Sequence, residues 1–167
     1  MFGGAPADAA HGLKPWAQDS SPGLSLDQLD GGAFELATST DSITIVHFFA
    51  TWCEPCVEEM ASLQALHIGA GNAVTILAVD VGEVDARVRR FFSEHPVGFA
   101  ILLDRDRAAM KAWGVEGLPT SFVLAPGLRP ALKADEPVDW AADGMLSRLL
   151  ALSPEQTTIT NREDKVP

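Results

Sequence analysis

The sequence predicts a single α/β domain, a sheet with helices packed against it. Three observations carry that prediction. Short apolar, β-branched runs alternate with stretches whose apolar residues recur at helical spacing. The chain has 167 residues, enough for one full core and few for two. Hydrophobic residues make up 47% and charged residues 21%, which is the balance of a globular chain and not of a disordered one.

Taken in order, Ala33–Leu36 reads as a weak early strand. Ile43–Phe49 (ITIVHFF) is β-branched and aromatic, and suits a strand covered on both faces. The helical run that follows repeats Val57, Met60, Leu63 and Leu66, with Glu58 and Glu59 in first turns that favour acids. Ala73–Val79 is a second buried strand, and Val84, Val88, Phe91 and Phe92 then mark a helix. Phe99–Leu103 is a third strand, and Asp106–Trp113 a short helix ended by Gly114. Ser121–Ala125 is a fourth strand turned by Pro126-Gly127, with a weak strand around Ala131–Ala134. Ala141–Leu152 closes the domain as a helix.

The ends read differently. Residues 1–23 are rich in Gly, Ala, Pro and Ser without period and read as a flexible arm. Residues 24–152 form the domain, and 153–167 a polar tail. No apolar run approaches the ~18 residues that span a bilayer. The first residues lack the basic and apolar regions of a signal peptide. That fits either a cytosolic protein or one whose leader or anchor has been removed. With 23 acidic and 12 basic residues the formal charge is -11, which argues against nucleic acid and anionic membrane surfaces. Proteins and small molecules remain as partners.

The chain has two cysteines, Cys53 and Cys56, so a multi-disulfide scaffold and a four-cysteine metal site are both excluded. The pair lies between a buried strand and an amphipathic helix. A helix N-terminus carries partial positive charge and unsatisfied N–H groups, which stabilise a thiolate. Cys53 falls at the exposed cap, and Cys56 one turn in, packed beneath it. Pro55 suits the first helical turn. Other uses fit less well. A structural disulfide across so short a loop removes little chain entropy. A metal site needs two more ligands, and His11, His47, His67 and His95 show no spacing with the cysteines. A peroxidatic enzyme would want a lone reactive cysteine near an arginine. Thiol exchange is the expectation.

Two further segments stand out. Gly117-Leu118-Pro119-Thr120 precedes a strand, where a proline belongs, and by itself reads as a turn. Glu83 follows the second strand at its C-terminal end, the edge where open α/β sheets place functional groups. By spacing alone it is equally a solvated loop carboxylate.

Together these segments carry a resemblance. FFATWCEPC (Phe48–Cys56), VDVGE (Val79–Glu83) and GLPTSF (Gly117–Phe122) resemble the TlpA/ResA-type thioredoxin-like proteins of bacterial envelopes, over about Leu24–Leu152. The resemblance implies a thioredoxin fold: a central mixed sheet flanked by helices, with an N-terminal β extension. It implies a cis Pro119 facing the cysteines, and a backbone at Leu118 that pairs with an extended substrate. Trp52, Pro55, Leu118 and Pro119 would then form an apolar docking rim. It implies that Glu83 lies near the thiols, where an acid disfavours thiolate and can move protons. His47 departs from the family pattern, which has aspartate or asparagine there, and is either a proton relay or a hydrogen-bonded core residue.

The implied activity is protein disulfide reduction, with Cys53 attacking and Cys56 resolving. No cofactor and no metal is implied. The implied partners are disulfide-containing proteins, of the cytochrome c maturation or copper-site assembly type, and a membrane thiol reductase as electron donor. The implied location is the periplasm or envelope, where proteins of this type are often held by an N-terminal anchor. Glu54 and Glu83 add negative charge around Cys53, which points to a reductant. The competing reading is a copper(I)-binding or structural module without turnover, since soft thiolates hold copper(I).

Overall fold

The structure, a computed structural model, describes residues 12–37 and 41–154. Its strands are β1 (Lys14–Pro15), β2 (Ser25–Gln28), β3 (Ala33–Glu35), β4 (Ile43–Phe49), β5 (Val74–Val81), β6 (Ala100–Asp104), β7 (Thr120–Ala125) and β8 (Arg129–Ala134). Its helices are α1 (Glu54–Ala70), α2 (Asp85–Glu94), α3 (Ala108–Ala112) and α4 (Met145–Leu150). Among the described residues the strands form one sheet in the order β1-β8-β7-β4-β5-β6-β2-β3. The centre, β4-β5-β6, is parallel, and every other pairing is antiparallel. This is the mixed sheet flanked by helices that the motifs imply.

β4 is buried along its whole length because both faces of the sheet are covered. Alternate residues serve different layers. Ile43, Ile45 and Phe49 join a core that includes Cys56, Met60 and Leu63 of α1, Phe92 of α2 and Met145 of α4. Val46 and Phe48 join a second core with Leu77, Leu102, Trp113 and Phe122. β4 runs directly into the cysteine turn, so this double burial fixes the turn's position.

Two expectations need correction, and one strand fills in the expected N-terminal β extension. Ser25–Gln28 is a strand, paired antiparallel with β6 and β3. Its short, half-exposed Ser-Leu-Asp-Gln run carries too little apolar pattern to be seen alone. The residues from Gly12 to Gly23 are not a free arm. Leu13 is buried in the core, Lys14 and Pro15 pair with β8, and Trp16 stacks on Trp113 at 5.9 Å. Three apolar side chains within four residues outweigh the loop-like composition around them. The closing helix is shorter than Ala141–Leu152, because Gly144 sits in the left-handed region at φ +82° just before Met145. Residues 1–11 of the expected arm and 155–167 of the expected tail lie outside the described residues.

Candidate redox site

β4 ends at Phe49, and Ala50, Thr51 and Trp52 turn the chain into α1. The Cys53 N–H donates to the Ala50 carbonyl at 3.1 Å, closing that turn. Cys53 is the N-cap of α1, with extended backbone at φ -86° and ψ 104°. Its carbonyl accepts the Val57 N–H at 3.1 Å. Pro55 lies in the first turn, where the helix needs no N–H from it. Cys53 and Cys56 are joined by a disulfide, with Cα atoms 5.2 Å apart.

The order of exposure holds, but the expected openness does not. Cys56 is fully buried, and Cys53, in this oxidised form, is only 6% exposed. A disulfide to the buried residue beneath it folds the Cys53 side chain inward.

The Leu118–Pro119 peptide is cis. β7 begins at Thr120, which pairs with Phe48 across the β4–β7 ladder. Leu118 and Pro119 therefore stand beside the end of β4, at the edge that carries the cysteine turn. The Thr120 hydroxyl donates to the Gly117 carbonyl at 2.7 Å and ties the loop down. Pro119 is buried and Leu118 half-buried, whereas Trp52 and Pro55 are exposed.

Glu83 reaches the same edge from the other side of β4. Gly82, at φ +69°, turns the chain after β5, and its Cα packs on Arg107, so a Cβ there would lie 2.5 Å from the guanidinium Nε. The turn brings the Glu83 carboxylate onto Thr51, which donates its backbone N–H at 2.8 Å and its hydroxyl at 2.6 Å. Burial opposes ionisation of Glu83. The neighbouring Asp80 carboxyl, the two Thr51 hydrogen bonds and the charge of Arg87 outweigh it and hold the carboxyl below the usual range. Asp80 is the other half of this pair. It lies at the end of β5, opposite Phe49, and is buried. Burial, then the adjacent Glu83, pushes its carboxyl up to about 9. Neither carboxyl oxygen of Asp80 has a hydrogen-bond partner, and an unpartnered buried carboxylate is costly. Burial and the adjacent carboxylate thus favour the protonated form of Asp80, while Thr51 favours the ionised form of Glu83.

A second polar cluster lies under α1. His47 is fully buried, with Nδ1 2.8 Å from the Ser121 hydroxyl, its cross-strand neighbour. Desolvation pushes the imidazole down to about 3, so it is neutral. Glu59 Oε1 lies 3.8 Å from that Nδ1 and accepts the Trp140 indole N–H at 2.7 Å and the Val138 N–H at 3.3 Å. Burial pushes Glu59 up to about 7, against the lowering effect of these hydrogen bonds. Glu59 also lines a groove of about 240 Å³ beside Pro55, with Ser62 and Val138.

The sheet edge therefore gathers Trp52, Cys53, Pro55, Cys56, Glu83, Leu118 and Pro119, all singled out from the sequence. Sequence reasoning missed Glu59, Asp80 and Ser121. A signal existed for Glu59, since it falls on the stripe of Cys56, Met60 and Leu63, where a solvated acid does not belong. Asp80 interrupts an apolar strand in the same way. Chemically, the site holds a dithiol/disulfide pair at a helix N-terminus, with buried acids beside and beneath it. Among the described residues no group of three or more His, Cys, Asp or Glu side chains is arranged to hold a metal ion, and no helix is long and apolar enough to cross a membrane.

The AhpC/TSA family matches residues 17–128. The thiol-disulfide oxidoreductase ResA of Bacillus subtilis is 34% identical over 108 residues, 64% of this chain and 60% of that protein. ResA of Geobacillus thermodenitrificans is 34% identical over 106 residues, 63% of this chain and 61% of that protein. The chain thus spans about 60% of the length of the curated relatives it matches. Among solved structures, a secreted thiol-disulfide isomerase from Corynebacterium glutamicum superposes with a TM-score of 0.74 at 20% identity, covering 92% of this chain and 98% of that one. StoA from Bacillus subtilis superposes with a TM-score of 0.64 at 20% identity, covering 81% of this chain and 98% of that one. These structural likenesses establish a shared fold.

Proposed function

The chain belongs to the AhpC/TSA family of thioredoxin-like proteins, and from that premise we propose that it is a thiol-disulfide oxidoreductase that reduces disulfides in partner proteins. One observation carries the reading. The two cysteines are bonded to each other across the first turn of α1, with the less buried one at the cap. That arrangement lets the pair alternate between disulfide and dithiol without moving the fold.

The reaction is a balanced exchange. The Cys53 thiolate attacks one sulfur of the partner's disulfide, forming a mixed disulfide and releasing the partner's other sulfur as thiolate. The Cys56 thiolate then attacks the Cys53 sulfur, releasing the second partner sulfur and closing Cys53–Cys56. Two electrons pass to the partner, and the two released thiolates take protons. The helix N-terminus lowers the energy of the Cys53 thiolate. Glu54 in the first turn and the Glu83 anion behind Thr51 oppose this, which favours a reducing pair. Glu83 acts through Thr51 as a positioning residue, and the two Thr51 hydrogen bonds favour its charged form. Trp52, Pro55, Leu118 and Pro119 form the docking rim.

The partners are proteins carrying a disulfide, of the cytochrome c maturation or copper-site assembly type. A membrane thiol reductase restores the dithiol. The domain works outside the cytoplasmic membrane, in the periplasm or envelope. Residues 24–152 form the working domain together with Leu13, Lys14, Pro15 and Trp16, which pack onto it.

The test is trapping. Reduced Cys56→Ser protein should accumulate a mixed disulfide with an oxidised protein substrate, and Cys53→Ser should not. Absence of any adduct, together with tight stoichiometric copper(I) binding by the wild type, would favour the metal-binding module instead.

A further inference from the structure

Among the described residues three large apolar side chains stand mostly in solvent. They are Trp52, Ile68 and Val84, at 67%, 73% and 70% exposure. Single exposed apolar residues are ordinary on a protein surface. Two of these three are not scattered. Trp52 follows Thr51 and Val84 follows Glu83, and Glu83 clasps Thr51 with two hydrogen bonds. The two loops are thereby locked together beside Cys53, each presenting one uncovered apolar side chain.

Val84 is also the wrong residue for its place in the chain. It is the N-cap of α2, with extended backbone at φ -74° and ψ 141° and no side-chain capping bond. Helices favour Ser, Thr, Asp or Asn there, because those side chains satisfy an orphan N–H, and valine is among the poorest choices. The folded domain gains nothing from an exposed valine at this position, neither burial nor a cap.

We infer that Trp52 and Val84 form a docking strip for the polypeptide that carries the partner disulfide, and that the strip takes an apolar side chain close to the partner's reacting cysteine. The occupant follows from the chemistry. Exchange requires the partner sulfur to reach the Cys53 sulfur, so the partner's flanking chain must cover the residues around Cys53. β4 lies between β5 and β7, so the Glu83 loop and the Leu118–Pro119 loop flank the cysteine turn from opposite sides. The strip extends the rim on the side away from Pro119. Glu54 is exposed next to Cys53 while Arg87 acts on Glu83 beside Val84, so the charge at this edge is mixed and the selection falls on the apolar side chain. The inference rests on the thiol-exchange reading and specifies its substrate class.

The test compares three disulfide probes with the reduced protein. One is a peptide disulfide with Phe two residues from the half-cystine and Lys flanking it. The second is the same peptide with Ser in place of Phe, and the third is hydroxyethyl disulfide. The wild type should react with the Phe peptide about tenfold faster in kcat/KM than with the Ser peptide, as expected for burial of one apolar side chain. Val84→Asp should abolish that preference. Val84→Ser should weaken it while raising the melting temperature, since serine caps α2. Ile68→Asp, at the far end of α1, should keep it. A Val84→Ser protein that retains the full Phe preference, or a wild type that exchanges with every probe at ratios indifferent to Phe, would overturn the docking strip and leave the exchange reading standing. A wild type that exchanges with no disulfide at all would overturn the exchange reading, and the strip with it.

Discussion

Glu83 accepts both the backbone N–H and the hydroxyl of Thr51, at 2.8 and 2.6 Å, although the two residues lie 32 positions apart. These bonds join the loop after β5 to the turn that presents Cys53. They make the placement of the attacking sulfur depend on a carboxylate that is not itself at the sulfur.

Glu83→Ala leaves a partly buried N–H and hydroxyl without their acceptor. The expected loss is about 1–3 kcal/mol in urea unfolding, with a slower reaction of the reduced protein with a small disulfide. Glu83→Gln, which keeps an acceptor oxygen, should recover part of both. Equal stability and rate in all three proteins would show the bonds to be incidental.

Asp80 sets an alkaline limit on stability. Its folded pKa is raised from 3.8 to about 9, so the folded state holds a proton that the unfolded chain releases. Its contribution is full below the unfolded value, declines as pH rises through the interval, and is gone above about 9. Asp80→Asn cannot ionise. The unfolding free energy of the wild type should fall between pH 5 and 9, while that of Asp80→Asn stays flatter, with a gain of at least about 1 kcal/mol at pH 8. Parallel curves would contradict the acid pair.

His47 works with the opposite sign. Burial lowers its pKa from 6.5 to about 3, so its contribution is present above the unfolded value and is lost as pH falls toward 3. His47→Asn should remove part of the acid-side decline in stability. If the decline between pH 6 and 4 is unchanged, the imidazole is not held neutral in the fold.

Glu59 anchors Trp140 to α1 through the 2.7 Å indole bond. Glu59→Ala should cost about 2–4 kcal/mol, combining an orphaned buried N–H with the space left behind. Glu59→Gln keeps the acceptor and should recover most of that loss. Urea unfolding followed by circular dichroism reads both, and a mild Glu59→Ala would mean that water replaces the carboxylate.

The parts of this fold visible in the sequence are those where local pattern and tertiary burial agree. Ile43–Phe49 is β-branched and buried on both faces, so composition alone marks it as a central strand. The cysteine turn was legible because strand, Cys-x-x-Cys and helix follow one another without a gap. β2 and the Lys14–Pro15 strand were not legible, since each joins the sheet through a partner more than 70 residues away and buries few side chains of its own, although β2 also pairs locally with β3. The polar machinery was half legible. Glu83 announces itself by its place after a strand, but its bond to Thr51 exists only in three dimensions. Asp80 and Glu59 looked like ordinary members of a strand and of an acidic helix start, and only burial distinguishes them.

The central claim is that Cys53 and Cys56 form a reducing pair, with the helix N-terminus opposed by Glu54 and the Glu83 anion. The direct measurement is the reduction potential of the Cys53–Cys56 couple at pH 7, equilibrated against glutathione or a thioredoxin of known potential. A value more negative than about -200 mV, in the thioredoxin and glutaredoxin range, is the predicted result. A value near -120 mV, that of a strong oxidant, would contradict the account.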